Sequence, residues 1–138
     1  MSTEENKSLI RRWVDVWNTQ RLDDIDRFVT PGYVRHDPTV PEVHGPEGER
    51  QLAGMYFAAF PDLRFTVEDL VAEGDKVVAR YTVRGTHRGE LMGIPPTGNQ
   101  IAVEAMEIYR LEDGRIAEQW VVMDGLGMMQ QLGVIPAS

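Results

Sequence analysis

The sequence contains no cysteine, which excludes disulfides, thiolate nucleophiles, zinc–sulfur sites and iron–sulfur clusters together. Positive charge is scarce. Lys7 and Lys76 are the only lysines, and acids outnumber bases by 22 to 14, for a formal net charge of −8. A field of that sign repels phosphate backbones and anionic lipid, and the scattered arginines form no basic patch to offset it. Nucleic-acid and membrane-surface binding are therefore not expected. No apolar run approaches the roughly 20 residues that span a bilayer, and Met1-Ser2-Thr3-Glu4-Glu5 is not a signal peptide, so the expected location is the cytoplasm. His36, His44 and His87 form no HxH or HxxxH pair, and no metal site is expected. Gly85, Gly89, Gly93 and Gly98 make neither a P-loop nor GxGxxG, and no Gly-x-Ser-x-Gly elbow exists. No bound cofactor is expected.

What is present is an ordinary globular balance, 138 residues with 42% hydrophobic and 26% charged, enough for one core and one pocket in a single domain. Ser2-Thr3-Glu4-Glu5 has the form of a capping box, and Leu9, Trp13 and Trp17 then recur every four residues with Ile10 and Val14 beside them. That is a buried helical stripe. A short second helix is expected to carry Leu22, Ile25 and Phe28-Val29 and to end at Pro31-Gly32. Gly45-Pro46-Glu47 starts a third, carrying Leu52, Met55, Tyr56 and Phe60.

After Pro61 the period changes to two. Strands are expected over residues 63–72, 76–87, 101–111 and 115–124, with turns at Glu73-Gly74-Asp75 and Glu112-Asp113-Gly114 and a short closing helix over 125–133. Helices first and an antiparallel meander afterwards give an α+β fold with the helices on one face of a curved sheet. In the last strand Glu118, Trp120, Val122 and Asp124 share one face and Gln119, Val121 and Met123 the other, and both faces carry apolar residues. A sheet covered by helices on one side and a partner subunit on the other produces that pattern.

Several strings resemble the SnoaL-like polyketide cyclases: Gly85-Thr86-His87-Arg88-Gly89-Glu90, Gly93-Ile94-Pro95-Pro96-Thr97-Gly98, Asp113-Gly114-Arg115-Ile116-x-Glu118-x-Trp120-x-x-x-Asp124 and Gln131-Leu132-Gly133. Arg35-His36-Asp37-Pro38, Gly45-Pro46-Glu47-Gly48 and Phe60-Pro61-Asp62-Leu63 agree in order along the chain. The resemblance implies the cone of the nuclear transport factor 2-like superfamily, in which a curved antiparallel sheet and three helices enclose an apolar pocket, and homodimers form through the sheet. It also implies a cofactor-free enzyme that closes a ring on an apolar or polyketide-like small molecule by an intramolecular aldol-type step. Epoxide hydrolases, ketosteroid-isomerase-like enzymes and non-catalytic binding proteins share the fold and stand as alternatives.

Asp124 ends an apolar segment, and the resemblance places it on the aspartate that serves as general acid/base. A desolvated carboxyl suits that work, whereas the same position before Gly125 also suits a helix cap. His36 is the second catalytic candidate, at the mouth of the pocket beside Asp37. Tyr33, Asp37, Tyr56, Phe60, Arg80, His87, Met106 and Trp120 are expected to line or orient the substrate, with Arg80 and Glu118 as partners in a buried ion pair. The antibiotic cyclases have a histidine on the strand before the last hairpin; here that stretch holds Glu104, Met106 and Glu107.

Overall fold

Ser2 opens the first helix, α1 (Thr3–Asn18), by accepting a hydrogen bond from the Glu5 amide while the Glu5 side chain accepts from the Ser2 amide. The box forms as the sequence predicts, in this computed structural model, which describes residues 1–136. The α1 stripe buries Leu9, Ile10, Trp13, Val14 and Trp17. Trp17 meets Phe57 and Phe65 edge-on, with ring centroids 5.4 and 5.6 Å apart, contacts that add about 0.5–1.5 kcal/mol each beyond burial. Among the described residues, no helix is long and apolar enough to cross a membrane.

The second helical segment is shorter than its sequence suggests. A single 3-10 turn, Leu22–Asp24, leads into α2 (Ile25–Phe28), and the chain then becomes β1 (Val29–His36), running straight through Pro31 and Gly32. Proline has no N–H to give a sheet, and here it falls inside a register break in the pairing, between Val29 and Val34. β2 (Val43–His44) and α3 (Gly45–Ala59) follow.

The meander comes next: β3 (Arg64–Glu73), β4 (Lys76–Thr86), β5 (Gln100–Glu112) and β6 (Arg115–Met123), closed by α4 (Gly125–Leu132). The sheet order is β2-β1-β6-β5-β4-β3, and it curves without closing. The four long strands are antiparallel, whereas β1 lies parallel to β6. Register breaks at Val67/Asp69 and Arg110/Leu111 mark irregularities of the kind that bend strands. Gly89 ties the sheet to α3: its amide donates to Ala59 O at 3.2 Å, and a Cβ there would lie 2.1 Å from Ala58 O.

Candidate functional site

Strand alternation decides what the helices cover. On β5 the inward residues are Ile101, Val103, Ala105, Glu107, Tyr109 and Leu111; on β6 they include Gln119 and Val121, and on β1 Tyr33 and Arg35. Polar side chains thus enter the core from three adjacent strands. Glu49, from α3, joins them with no exposed surface.

Beneath α1 these residues bound two adjoining spaces. One, of about 20 Å³, is lined by Trp13, Trp17, Arg35, Tyr81, Glu107 and Gln119 among others. The second, of about 30 Å³, is mostly apolar and bounded by Tyr56, Phe60, Val83, Val121, Met123 and Met128. Trp17, Arg35, Phe65 and Glu107 line both, so the two lobes adjoin, with Arg35 and Glu107 in the wall they share.

The polar groups form one hydrogen-bonded chain. Tyr33 Oη lies 2.7 Å from Gln119 Oε1 and 3.1 Å from Glu49 Oε1. Gln119 Nε2 donates to Glu107 Oε1, which also accepts from the Tyr109 hydroxyl at 3.0 Å. Tyr81 and Tyr109 hydroxyls are 2.7 Å apart, and since Tyr109 spends its proton on Glu107, Tyr81 donates to Tyr109. Tyr33 likewise has one proton for two acceptors, so its second contact requires a proton on Glu49. One proton then satisfies the series Glu49 to Tyr33 to Gln119 to Glu107. Turning the Gln119 amide over reverses each bond and places that proton on Glu107 instead.

Electrostatics agrees with a shared proton. Burial raises the carboxyl pKa of Glu107 above its usual value, against the opposing pull of Arg35. Glu49 is raised for the same reason, although Arg35 Nη1 lies 3.3 Å from its Oε2. Burial also works against the Arg35 charge, yet Glu49, Tyr33 and Glu107 together outweigh it and the guanidinium stays protonated. Two carboxyls and one fixed cation in a dry interior favour one ionised carboxylate rather than two. Among the described residues, no group of three or more histidine, aspartate or glutamate side chains is placed to hold a metal ion.

Of the residues singled out in the sequence, Tyr56 and Phe60 line the larger lobe, and Tyr33 is a link of the polar chain. The others lie elsewhere. His36 is on the opposite sheet face, with Nδ1 3.0 Å from Glu42 and Nε2 2.7 Å from Glu118 and its ring stacked on Trp120 at 5.5 Å. Together with Asp37 it borders a shallow outer cleft. The hydrogen bond from His36 is the main cause that keeps the Glu118 carboxyl below the usual range.

Arg80 and Met106 are neighbours in register on that outer face. Arg80 pairs with Asp69 and Glu104, not with Glu118, and Met106 is 53% exposed. The expected buried Arg80–Glu118 pair therefore does not form: period-two alternation puts both side chains on the face away from the helices. His87 is fully buried behind Phe60, its Nδ1 accepting from the Thr97 amide at 3.2 Å, and it lines neither lobe. Asp124 is exposed and caps α4, accepting from the Gly127 amide at 2.8 Å. A Cβ on Gly127 would lie 2.2 Å from that carboxylate. Of its two sequence-level readings, the capping geometry is the one that forms, and the expected desolvation is absent.

Arg35, Glu49, Glu107 and Gln119 were not among the sequence candidates. Only the alternation of Tyr33 and Arg35 with Val34 and His36 signalled that this arginine turns inward, and it is readable only once residues 29–36 are taken as a strand.

The sequence profile of the SnoaL-like polyketide cyclases matches residues 7–132. Aklanonic acid methyl ester cyclase DnrD of Streptomyces peucetius is 32% identical over 139 residues, spanning 96% of this chain and 92% of that protein. Nogalonic acid methyl ester cyclase of Streptomyces nogalater is 33% identical over 122 residues, 87% of this chain and 91% of that one. Among solved structures, TsrD from Streptomyces laurentii superposes with a TM-score of 0.88 at 33% identity, covering 98% of this chain and 99% of its own. A SnoaL-like polyketide cyclase from Agrobacterium tumefaciens gives 0.80 at 28%, covering 96% and 100%. With the profile matched over nearly its full length and the cone built as the motifs imply, the chain belongs to the SnoaL-like polyketide cyclase family.

Proposed function

We propose that this protein closes a ring on a polyketide-like small molecule by an intramolecular aldol-type step, without a cofactor, and that Glu107 is the proton-transfer group. The carrying observation is the position of Glu107: buried, lining both lobes, and raised in pKa by burial. An aldol closure removes a proton beside a carbonyl, holds the enolate in position and returns a proton to the new alkoxide. A carboxyl whose hold on its proton is strengthened by burial can do both transfers, contributing about 10²–10⁴-fold, and the lining residues orient the substrate. The relatives named for aklanonic acid and nogalonic acid methyl esters support a methyl ester of a polyketide-like acid as the kind of compound to test.

The apolar lining of the larger lobe suits the body of such a ligand in chemical character, and its space of about 30 Å³ must widen to admit one. The outer sheet face supports assembly as a homodimer, because Met106, Ile108 and Val122 are exposed together on adjacent strands with no helix over them.

The test is turnover of a methyl-ester polyketide substrate by Glu107→Gln and Asp124→Asn. The glutamine side chain keeps the Oε1 acceptor that both Tyr109 and Gln119 use, so the network survives the change. Loss of turnover in Glu107→Gln with retention in Asp124→Asn supports the assignment. The reverse returns the chemistry to Asp124, and full activity in both rejects carboxylate catalysis at either position.

A further inference from the structure

We propose that the Nε–H of Arg35 is the donor that receives the oxygen of a substrate enolate, so that this interior selects neutral, enolisable carbonyl compounds over ligands that arrive as anions. This rests on the reading of Glu107 as proton acceptor. Arg35 is only 7% exposed and lines both lobes. Its Nη1 is engaged by Glu49, and its guanidinium is held 5.8 Å over the Trp17 ring. Its Nε, however, has no hydrogen-bond partner among the described residues. Buried polar groups are nearly always satisfied, so an unpaired donor on a fixed cation beside a cavity calls for an acceptor. The other unpaired buried atom, His87 Nε2, borders neither lobe.

Charge accounting gives that acceptor its chemistry. At rest the interior holds the Arg35 cation, one carboxylate and one protonated carboxyl, which sum to zero. In the proposed step a C–H bond of the substrate breaks and its proton forms an O–H bond with the Glu107 carboxylate. The C–H electron pair becomes the enolate double bond, and the carbonyl π pair moves onto oxygen. The sum remains zero, and the negative charge has moved from a carboxylate to the substrate. A pre-placed donor at its new position lowers the barrier, because it need not reorganise when the charge appears. A ligand that enters as an anion brings an uncompensated charge into a dry site, which is costly.

The probe is 4-nitrophenol, neutral when protonated and coloured as its phenolate, whose oxygen resembles an enolate. With saturating protein at a pH about one unit below the phenol's solution pKa, the wild type is expected to hold it as phenolate, and Arg35→Lys, which keeps the charge without Nε, to reduce the phenolate-to-phenol ratio by about tenfold or more. In wild-type protein the ¹⁵N-detected Arg35 Nε–H resonance is expected to shift on binding, a readout that needs no variant to fold. A neutral bound phenol, a ratio unchanged in Arg35→Lys, an unmoved Nε–H signal, or no binding overturns the proposal. If Glu107→Gln retains turnover while the phenolate still depends on Arg35, the acid/base assignment fails and the Arg35 site stands. If Glu107→Gln is inactive while the phenolate ignores Arg35, the Arg35 site alone fails.

Discussion

The hydroxyl of Tyr109 donates to Glu107 Oε1 across 3.0 Å while receiving a hydrogen bond from Tyr81. This contact stabilises the ionised carboxylate and is one of the few influences that oppose its desolvation. Tyr109→Phe removes it, so Glu107 will bind its proton more tightly. The acid limb of the pH profile for kcat/KM is expected to move to higher pH with the fold intact, as checked by circular dichroism. A profile unmoved by the change would separate Tyr109 from the reacting group.

The same two carboxyls set a pH dependence of stability. Burial raises both Glu49 and Glu107 above their ordinary values in the folded protein. The stability they contribute is therefore complete below the unfolded-state pKa and is lost as pH rises through the folded one, because the unfolded chain releases those protons first. Thermal melts between about pH 5 and about pH 8 should show the wild type losing ground to Glu107→Gln as pH increases. A stability difference independent of pH would contradict the raised values.

Capping at α4 depends on a pair, Asp124 and Gly127. Gly127→Ala places a methyl group against the Asp124 carboxylate and should cost about 0.5–2 kcal/mol, the range of a lost N-cap. Asp124→Asn keeps a good capping residue and should change stability by only a few tenths of a kcal/mol. Differential scanning calorimetry of the two variants checks this, and equal destabilisation by both would show that the Asp124 charge matters beyond the cap.

The proposed assembly through the outer sheet face predicts a homodimer in sedimentation equilibrium that Val122→Lys converts to a monomer. Val122 is 64% exposed and pairs in register with Met106, so one lysine would put a charge into the middle of the apolar patch without touching the core. A dimer that persists would place the contact elsewhere.

Helix α1 and strands β3 to β6 were legible because their periods run long enough to read: Leu9, Trp13 and Trp17 keep the helical spacing, and Ala79, Tyr81 and Val83 alternate with Arg80, Thr82 and Arg84. β1 was not, because Pro31-Gly32 reads locally as a stop signal and its partner β6 lies more than 80 residues away. That one missed strand hid the site. With residues 33–36 taken as loop, Arg35 had no face to point to and His36 took its place as the candidate. On β6 the misreading had a different cause. Trp120 was expected at the pocket and no role was given to Gln119, yet the sheet turns Gln119 inward, where Glu107 and Tyr33 satisfy it. Buried polar networks invert the usual rule that apolar marks the inside, and only tertiary pairing reveals them.

The most direct test is a carbon-detected NMR titration of the side-chain carboxyls in wild-type protein, assigned with Glu107→Gln and Asp124→Asn. The Glu107 carboxyl is expected to titrate above the ordinary glutamate value of 4.5. A Glu107 carboxyl that titrates at or below that value would be a permanently ionised structural group, and the proton-transfer role assigned to it would fall.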